Sequence, residues 1–152
     1  MDQELTNARQ AFSAAMQRET PGSDFPRYTA VLDALLKWTA ARGDQLTFRA
    51  GGRADVLRFE RTKTKEVFWS AQVVRRESPN LEIHLAAGRP LSAEDRAHAM
   101  EVLNAHTRDV LEAGDRLRIR FGALKNAAAL AAVLSLLERL LEDGDSSAKP
   151  DA

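Results

Sequence analysis

The sequence predicts a two-layer α+β sandwich, in which a mainly antiparallel sheet of about five strands carries helices on one face. Two observations predict this class. Apolar residues recur at helical spacing as far as Arg42, and the pattern changes to alternation from Gln45 onward. Four short alternating runs then follow, separated by turns short enough to reverse the chain. A four-strand meander, with one more strand added after a helix, is the simplest arrangement.

The two helices before the sheet differ in the width of their apolar faces. The first helix ends by Gly22, and its thin stripe consists of Leu5, Ala8, Phe12, Ala15 and Met16. We expect residues 1–22 to form an N-terminal helical appendage. The second helix has Ser23 and Asp24 as candidate caps and runs to Arg42. Its strongly one-sided apolar face predicts a place in the core.

The four alternating runs have one face of large apolar residues and one polar face. They are residues Gln45 to Ala50, Asp55 to Arg61, Glu66 to Val74 and Asn80 to Ala86. In the third run, alternation places Trp69 on the face toward the helices and Phe68 on the opposite face, here called the open face. We therefore expect Phe68 and Val74 to lie half-covered on the open face.

Helix and strand signals alternate again in the last third of the chain. A capping box at Ser92 predicts a third helix that runs to Ala113, and Gly114 ends it. A fifth strand follows over residues 116–121. Asn126 is a candidate cap for a last helix that ends near Gly144. We expect a single α+β domain over residues 23–144 and a disordered tail over residues 145–152.

The predicted open face is rich in arginine. The candidate residues for binding a ligand or nucleic acid are Arg49, Arg58, Phe68, His84, Arg116, Arg118 and Arg120. Arginine binds phosphate with two parallel hydrogen bonds, and an exposed Phe68 would stack on a base. Cross-strand pairs of arginine and glutamate on a solvated sheet explain the same pattern without a ligand.

A second candidate surface is apolar. The last helix has a leucine face that is wider than packing on one sheet requires, which is typical either of a well-buried helix or of one that docks a second subunit. The candidate interface residues are Phe68, Val74, Leu130, Leu136, Leu137 and Leu140.

Catalytic and metal sites find little support. Glu82 and His84 alternate onto the same face and form a candidate acid–base cluster. Glu94, His98 and Glu101 have a helical spacing that suits a divalent metal, although ordinary helix solvation explains it as well. The sequence has no phosphate-binding glycine loop, no zinc-protease motif and no nucleophile elbow. We expect no catalytic residue, metal or cofactor.

Composition limits the class of protein. The 152 residues include 22 basic and 22 acidic side chains and no cysteine, which excludes thiol chemistry and any bulk attraction to nucleic acid or to an anionic membrane. No secretory signal and no apolar run of transmembrane length is present. Arginine outnumbers lysine, as is typical of a GC-rich bacterial source. We therefore expect a cytoplasmic bacterial protein with no membrane partner.

These observations favour a non-catalytic protein-interaction or adaptor domain that acts through a protein partner or as a homodimer. The helix–sheet–helix outline is similar, as an analogy of fold, to the dimeric chaperones of bacterial secretion systems, although the strand order differs. The first alternative is nucleic-acid or anionic-ligand binding by the arginines of the open face. The second is a small enzyme that uses His84 and Glu82.

Overall fold

The computed structural model describes residues 3–20, 22–49, 53–75, 78–84, 93–105, 110–113 and 116–148. Five helices and six strands follow one another within these residues. In chain order they are α1 (Gln3–Glu19), α2 (Phe25–Ala40), β1 (Leu46–Phe48), β2 (Val56–Arg61), β3 (Val67–Gln72), β4 (Asn80–His84), α3 (Ala93–Asn104), β5 (Val110–Ala113), β6 (Arg116–Arg120), α4 (Phe121–Leu124) and α5 (Ala127–Ala148).

The strands form one antiparallel sheet in the order β1-β2-β3-β4-β6-β5. The first four strands pair in sequence, so the four-strand meander and the α+β class are confirmed. After α3 the chain forms the far edge strand β5 and then returns as β6, which pairs with β4 on one side and β5 on the other.

The sixth strand is a departure from the sequence prediction. We predicted a helix as far as Ala113, but α3 ends at Asn104 and residues Val110–Ala113 pair with β6. Short apolar segments fit both helical and strand periods, so local spacing does not distinguish them. Strand pairing determines that this segment is a strand, because β5 forms hydrogen bonds with the backbone groups along one side of β6. The predicted cap Ser92 and stop Gly114 lie outside the described residues.

The core lies between the sheet and the helices. From α1 it includes Phe12, Ala15 and Met16, and both Phe12 and Met16 are fully buried. The boundary of a separate appendage at residue 22 stays a prediction, but α1 belongs to the same core as the sheet. The narrow apolar stripe of α1 is enough to hold the helix in the core, because α1 contacts both α2 and β2.

A β-bulge changes which residues of β3 face the helices. Phe59 lies opposite Trp69, whereas the next residue of β2, Glu60, lies opposite Val67, so Phe68 is an extra residue in the ladder. Phe68 and Trp69 are therefore both buried on the helix side, with no exposed surface. The prediction that Phe68 lies on the open face is wrong, because alternation counts one residue per pair and the bulge adds one.

Phe68 belongs to a stack of side chains that joins the sheet to two helices. Its ring stacks on Trp38 of α2 at a centroid distance of 6.3 Å. Arg61 lies over the Phe68 ring at 4.7 Å from its centroid, and Arg42 lies 4.3 Å from the centroid of the Trp38 ring. Each arginine also binds α5: Arg42 forms an ion pair with Glu138, and Arg61 donates to the backbone oxygen of Leu140 at 3.2 Å. The stack therefore fixes α5 against α2 and the sheet.

Trp69 is held by a separate set of contacts. Its indole nitrogen donates to the Thr39 hydroxyl at 3.0 Å, and that hydroxyl donates to the backbone oxygen of Leu35 at 2.8 Å. The Trp69 ring also stacks on Phe59 at a centroid distance of 4.8 Å. Both polar groups are thus satisfied inside the core, as buried donors and acceptors require.

The ends of the last helices differ in part from expectation. Asn126 caps α5 as predicted, because its side-chain oxygen accepts from the backbone nitrogens of Ala128 and Ala129 at 2.9 and 3.2 Å. Phe121 does not end β6 but begins the short helix α4. α5 continues past Gly144 to Ala148, since one glycine costs a helix only about 1 kcal/mol. The last four residues of the predicted tail lie outside the described residues.

The bulge predicts opposite behaviour for two neighbouring residues. Phe68→Ala removes a fully buried ring and should lower the free energy of unfolding by about 3–5 kcal/mol. Val67→Ala, at a half-buried position on the open face, should lower it by about 1 kcal/mol or less. Urea unfolding followed by tryptophan fluorescence measures both. A larger loss for Val67→Ala than for Phe68→Ala would contradict the bulge.

The cap of α5 gives a second prediction. Asn126→Ala should lower the free energy of unfolding by about 1 kcal/mol, because two backbone nitrogens in the first turn lose their acceptor. Asn126→Ser retains a capping oxygen and should lose only a small part of this stability. Thermal unfolding monitored by circular dichroism compares the three proteins. Equal stability of the alanine and serine variants would show that the side chain does not act as a cap.

Candidate functional site

The register of the sheet brings polar residues of four strands together on the open face. One row of paired residues consists of Arg58, Ser70, Glu82 and Arg118. The adjacent pair, His84 and Arg116, follows along β4 and β6. Because side chains two residues apart on a strand share a face, Arg120 also lies on this face. Apart from Phe68, the residues proposed for ligand binding are therefore on the same side of the sheet.

Part of this face forms a concave site of about 390 Å³, here called the arginine cleft. Its lining consists of Arg49, Arg53, Val56, Arg58, Val67, Ser70, Gln72, Glu82, His84 and Arg116. Sequence analysis missed Arg53, which lies in the turn before β2, where no periodic pattern shows the direction of a side chain. It also missed Val67, which faces the cleft because of the bulge.

Glu82 lies at the centre of the polar face and is almost completely buried. Its side chain is 10% exposed, whereas those of Arg116 and Arg118 are 52% and 42% exposed. One carboxylate oxygen lies 3.4 Å from Arg116 and the other lies 3.6 Å from Arg118. The carboxylate thus holds both arginines in position, but at distances long enough for a second anion to share them.

The other arginines of the cleft differ in how far they are neutralised. Arg53 binds Asp55 through two hydrogen bonds of 3.1 and 3.0 Å, and Arg49 lies 3.6 Å from Glu60. Arg58 forms no ion pair within the part of the chain that the structure describes. If Arg118 is included, the described residues place five arginines and three carboxylates around the cleft, which gives this set an excess of positive charge.

The two residues of the candidate acid–base cluster, Glu82 and His84, lie on the same face of the sheet. Both carboxylate oxygens of Glu82 face arginines, so Glu82 is the counter-ion of Arg116 and Arg118. Nε2 of His84 lies 3.5 Å from the Ser70 hydroxyl on β3, at the outer limit of a hydrogen bond.

The helical residues proposed as metal ligands lie on an exposed surface. Glu94, His98 and Glu101 are exposed on α3. Among the described residues no group of three or more histidine, aspartate or glutamate side chains is placed to hold a metal ion. His106 lies outside the described residues. None of the described helices is long and apolar enough to cross a membrane.

The apolar residues proposed as an interface are mostly buried by the chain itself. Leu136, Leu137 and Leu140 are 8%, 0% and 6% exposed, and they belong to the same core as the sheet. Leu130 and Val74 are half-buried. The leucine face of α5 is wide because α2, α3 and α4 pack against it. A partner surface built on this face would require α5 to leave the core.

No family model, curated protein or solved structure matches the chain.

The burial of Glu82 predicts unequal effects of two carboxylate substitutions. Glu82→Gln should lower the free energy of unfolding by about 1–3 kcal/mol, because a nearly buried counter-ion of two arginines is lost. Asp55→Asn removes a more exposed partner of Arg53 and should cost about 1 kcal/mol or less. Urea unfolding midpoints at one salt concentration compare the two. A greater loss for Asp55→Asn would contradict the central position of Glu82.

Proposed function

We propose that the chain binds a small phosphate-bearing ligand in the arginine cleft. The observation that carries this proposal is Arg58, a guanidinium that lines the cleft without an ion pair among the described residues. Arg116 lines the same cleft and is only loosely held by Glu82, at 3.4 Å. An anion placed between them gains charge-assisted hydrogen bonds, which are about twice as strong as neutral ones.

The size and polarity of the cleft support a small ligand. Its volume of about 390 Å³ is within the range of small-molecule sites, which is about 300–1,000 Å³. Binding of single-stranded nucleic acid relies on aromatic side chains that stack on bases. Phe68, the aromatic residue proposed for that role, lies in the core instead. The geometry thus favours a small anion over a polynucleotide, and the proposal assigns no reaction to the site.

A second candidate is the protein-interaction or homodimer module expected from the sequence. Two edge strands favour it, since β1 and β5 each pair with one neighbour in the sheet. Edge strands offer free backbone groups to another chain. Both are short, with three and four residues, and short edges disfavour such pairing. The buried leucines of α5 no longer add support, so we rank this candidate second.

Titration with pyrophosphate, followed by calorimetry, tests the proposal. Arg58→Ala should weaken binding about tenfold or more, because a charge-assisted hydrogen bond contributes about 1.5–3 kcal/mol. Arg18→Ala removes an exposed arginine from α1, away from the cleft, and should leave the affinity unchanged. The affinity should also fall as salt is added.

Three results would contradict the proposal. They are an absence of pyrophosphate binding at low salt, an equal loss of affinity in Arg18→Ala, and an unchanged affinity in Arg58→Ala. If wild-type protein instead sediments as a salt-insensitive dimer and binds no anion, the interaction module becomes the better account.

A further inference from the structure

The helix side of the sheet contains a second concave site, here called the edge cavity. It has a volume of about 570 Å³ and lies where α1 and α2 meet the edge strand β1. Its apolar wall includes Leu5 of α1, Leu36 of α2 and Phe48 of β1, all half-buried. Leu46 and Phe59, which are almost fully buried, also line it. The buried part of the cavity is thus apolar, and its mouth is open to solvent.

Charged side chains of both helices also line this cavity. Arg9 on α1 donates from Nε and Nη2 to one carboxylate oxygen of Asp33 on α2, at 3.0 and 2.5 Å. This ion pair joins the two helices and neutralises both charges. Lys37, one helical turn after Asp33, also lines the cavity and is exposed, with no ion pair in the described part of the chain. Among the described residues that line the edge cavity, Lys37 is therefore the cation without an ion pair.

We propose that the edge cavity binds a medium-chain monocarboxylate, that is, an unbranched alkyl chain with a single carboxylate. The alkyl chain would cover apolar side chains that are otherwise half exposed to water, which is favourable in proportion to the area removed from solvent. The carboxylate would pair with Lys37. An apolar cavity with few polar groups is typical of small-molecule sites of this volume.

This site is independent of the arginine cleft. The cleft faces the open side of the sheet, whereas the edge cavity is lined by the helices, and the two sites share no lining residue. A multiply charged phosphate suits the polar cleft and would lose too much hydration in an apolar cavity. Failure of one proposal therefore leaves the other unaffected.

A chain-length series tests the proposal. Calorimetric titration with hexanoate, octanoate, decanoate and dodecanoate, all below micelle-forming concentrations, should show affinity rising about three- to fourfold per added methylene. The gain should stop when the chain fills the cavity. Ala40→Phe places a ring in the cavity from an exposed position of α2 and should abolish binding. An affinity independent of chain length would overturn the proposal, as would full binding by the Ala40→Phe variant.

A pair of lysine variants tests the carboxylate position. Lys37→Gln should weaken decanoate binding about three- to fivefold and leave decanol binding unchanged, because the alcohol has no charge to pair. Lys63→Gln removes an exposed lysine from the turn between β2 and β3 and should change neither. Equal loss in both variants would show a general charge effect and overturn the assignment of Lys37. Sedimentation of the wild-type protein as a dimer, and of the Ala40→Phe variant as a monomer, would overturn the proposal. The edge cavity would then bind a second copy of the chain.

Discussion

The single extra residue in β3 determines which side chains face the helices and which face the open side of the sheet. Without the bulge opposite Phe59 and Glu60, strict alternation would place Phe68 on the open face and Val67 in the core. With it, two large aromatic rings lie side by side under α2. Val67 takes the place of Phe68 on the open face, and its small side chain leaves room for the arginine cleft.

The position of α5 depends on the same bulge. The Phe68 ring contacts both Trp38 and Arg61, and Arg61 donates to a backbone oxygen of α5. A second set of contacts joins α2 to α5, because Arg42 lies over the Trp38 ring and forms an ion pair with Glu138. Stacking and cation–π contacts of this kind each contribute on the order of 1 kcal/mol. Because all of them form only when α2, α5 and β3 are in this arrangement, together they favour it over other packings of the helices. Leu136, Leu137 and Leu140 of α5 are buried in that arrangement, whereas Leu130 is half-buried.

Local patterns in the sequence predicted the features that depend on neighbouring residues. The meander, the inward direction of Leu57 and Ile83, and the cap at Asn126 follow from alternation and capping chemistry. The bulge at Phe68 was not predicted, because it arises from the pairing of β2 with β3, whereas alternation was followed along each strand separately. The strand at Val110–Ala113 was missed for a similar reason, since β6 stabilises it. In the candidate site, alternation found the arginines, but the strand register was needed to place Glu82 between Arg116 and Arg118.

The position of the Phe68 ring distinguishes a β3 strand with the bulge from one without it. A nuclear Overhauser experiment on the folded protein measures which protons lie within about 5 Å of that ring. We expect cross-peaks from the Phe68 ring to the Trp38 indole and to the side chain of Arg61, which both contact it. Cross-peaks from Phe68 to Ser70 and His84 on the open face, with none to Trp38, would contradict the bulge and the division of the two faces that depends on it.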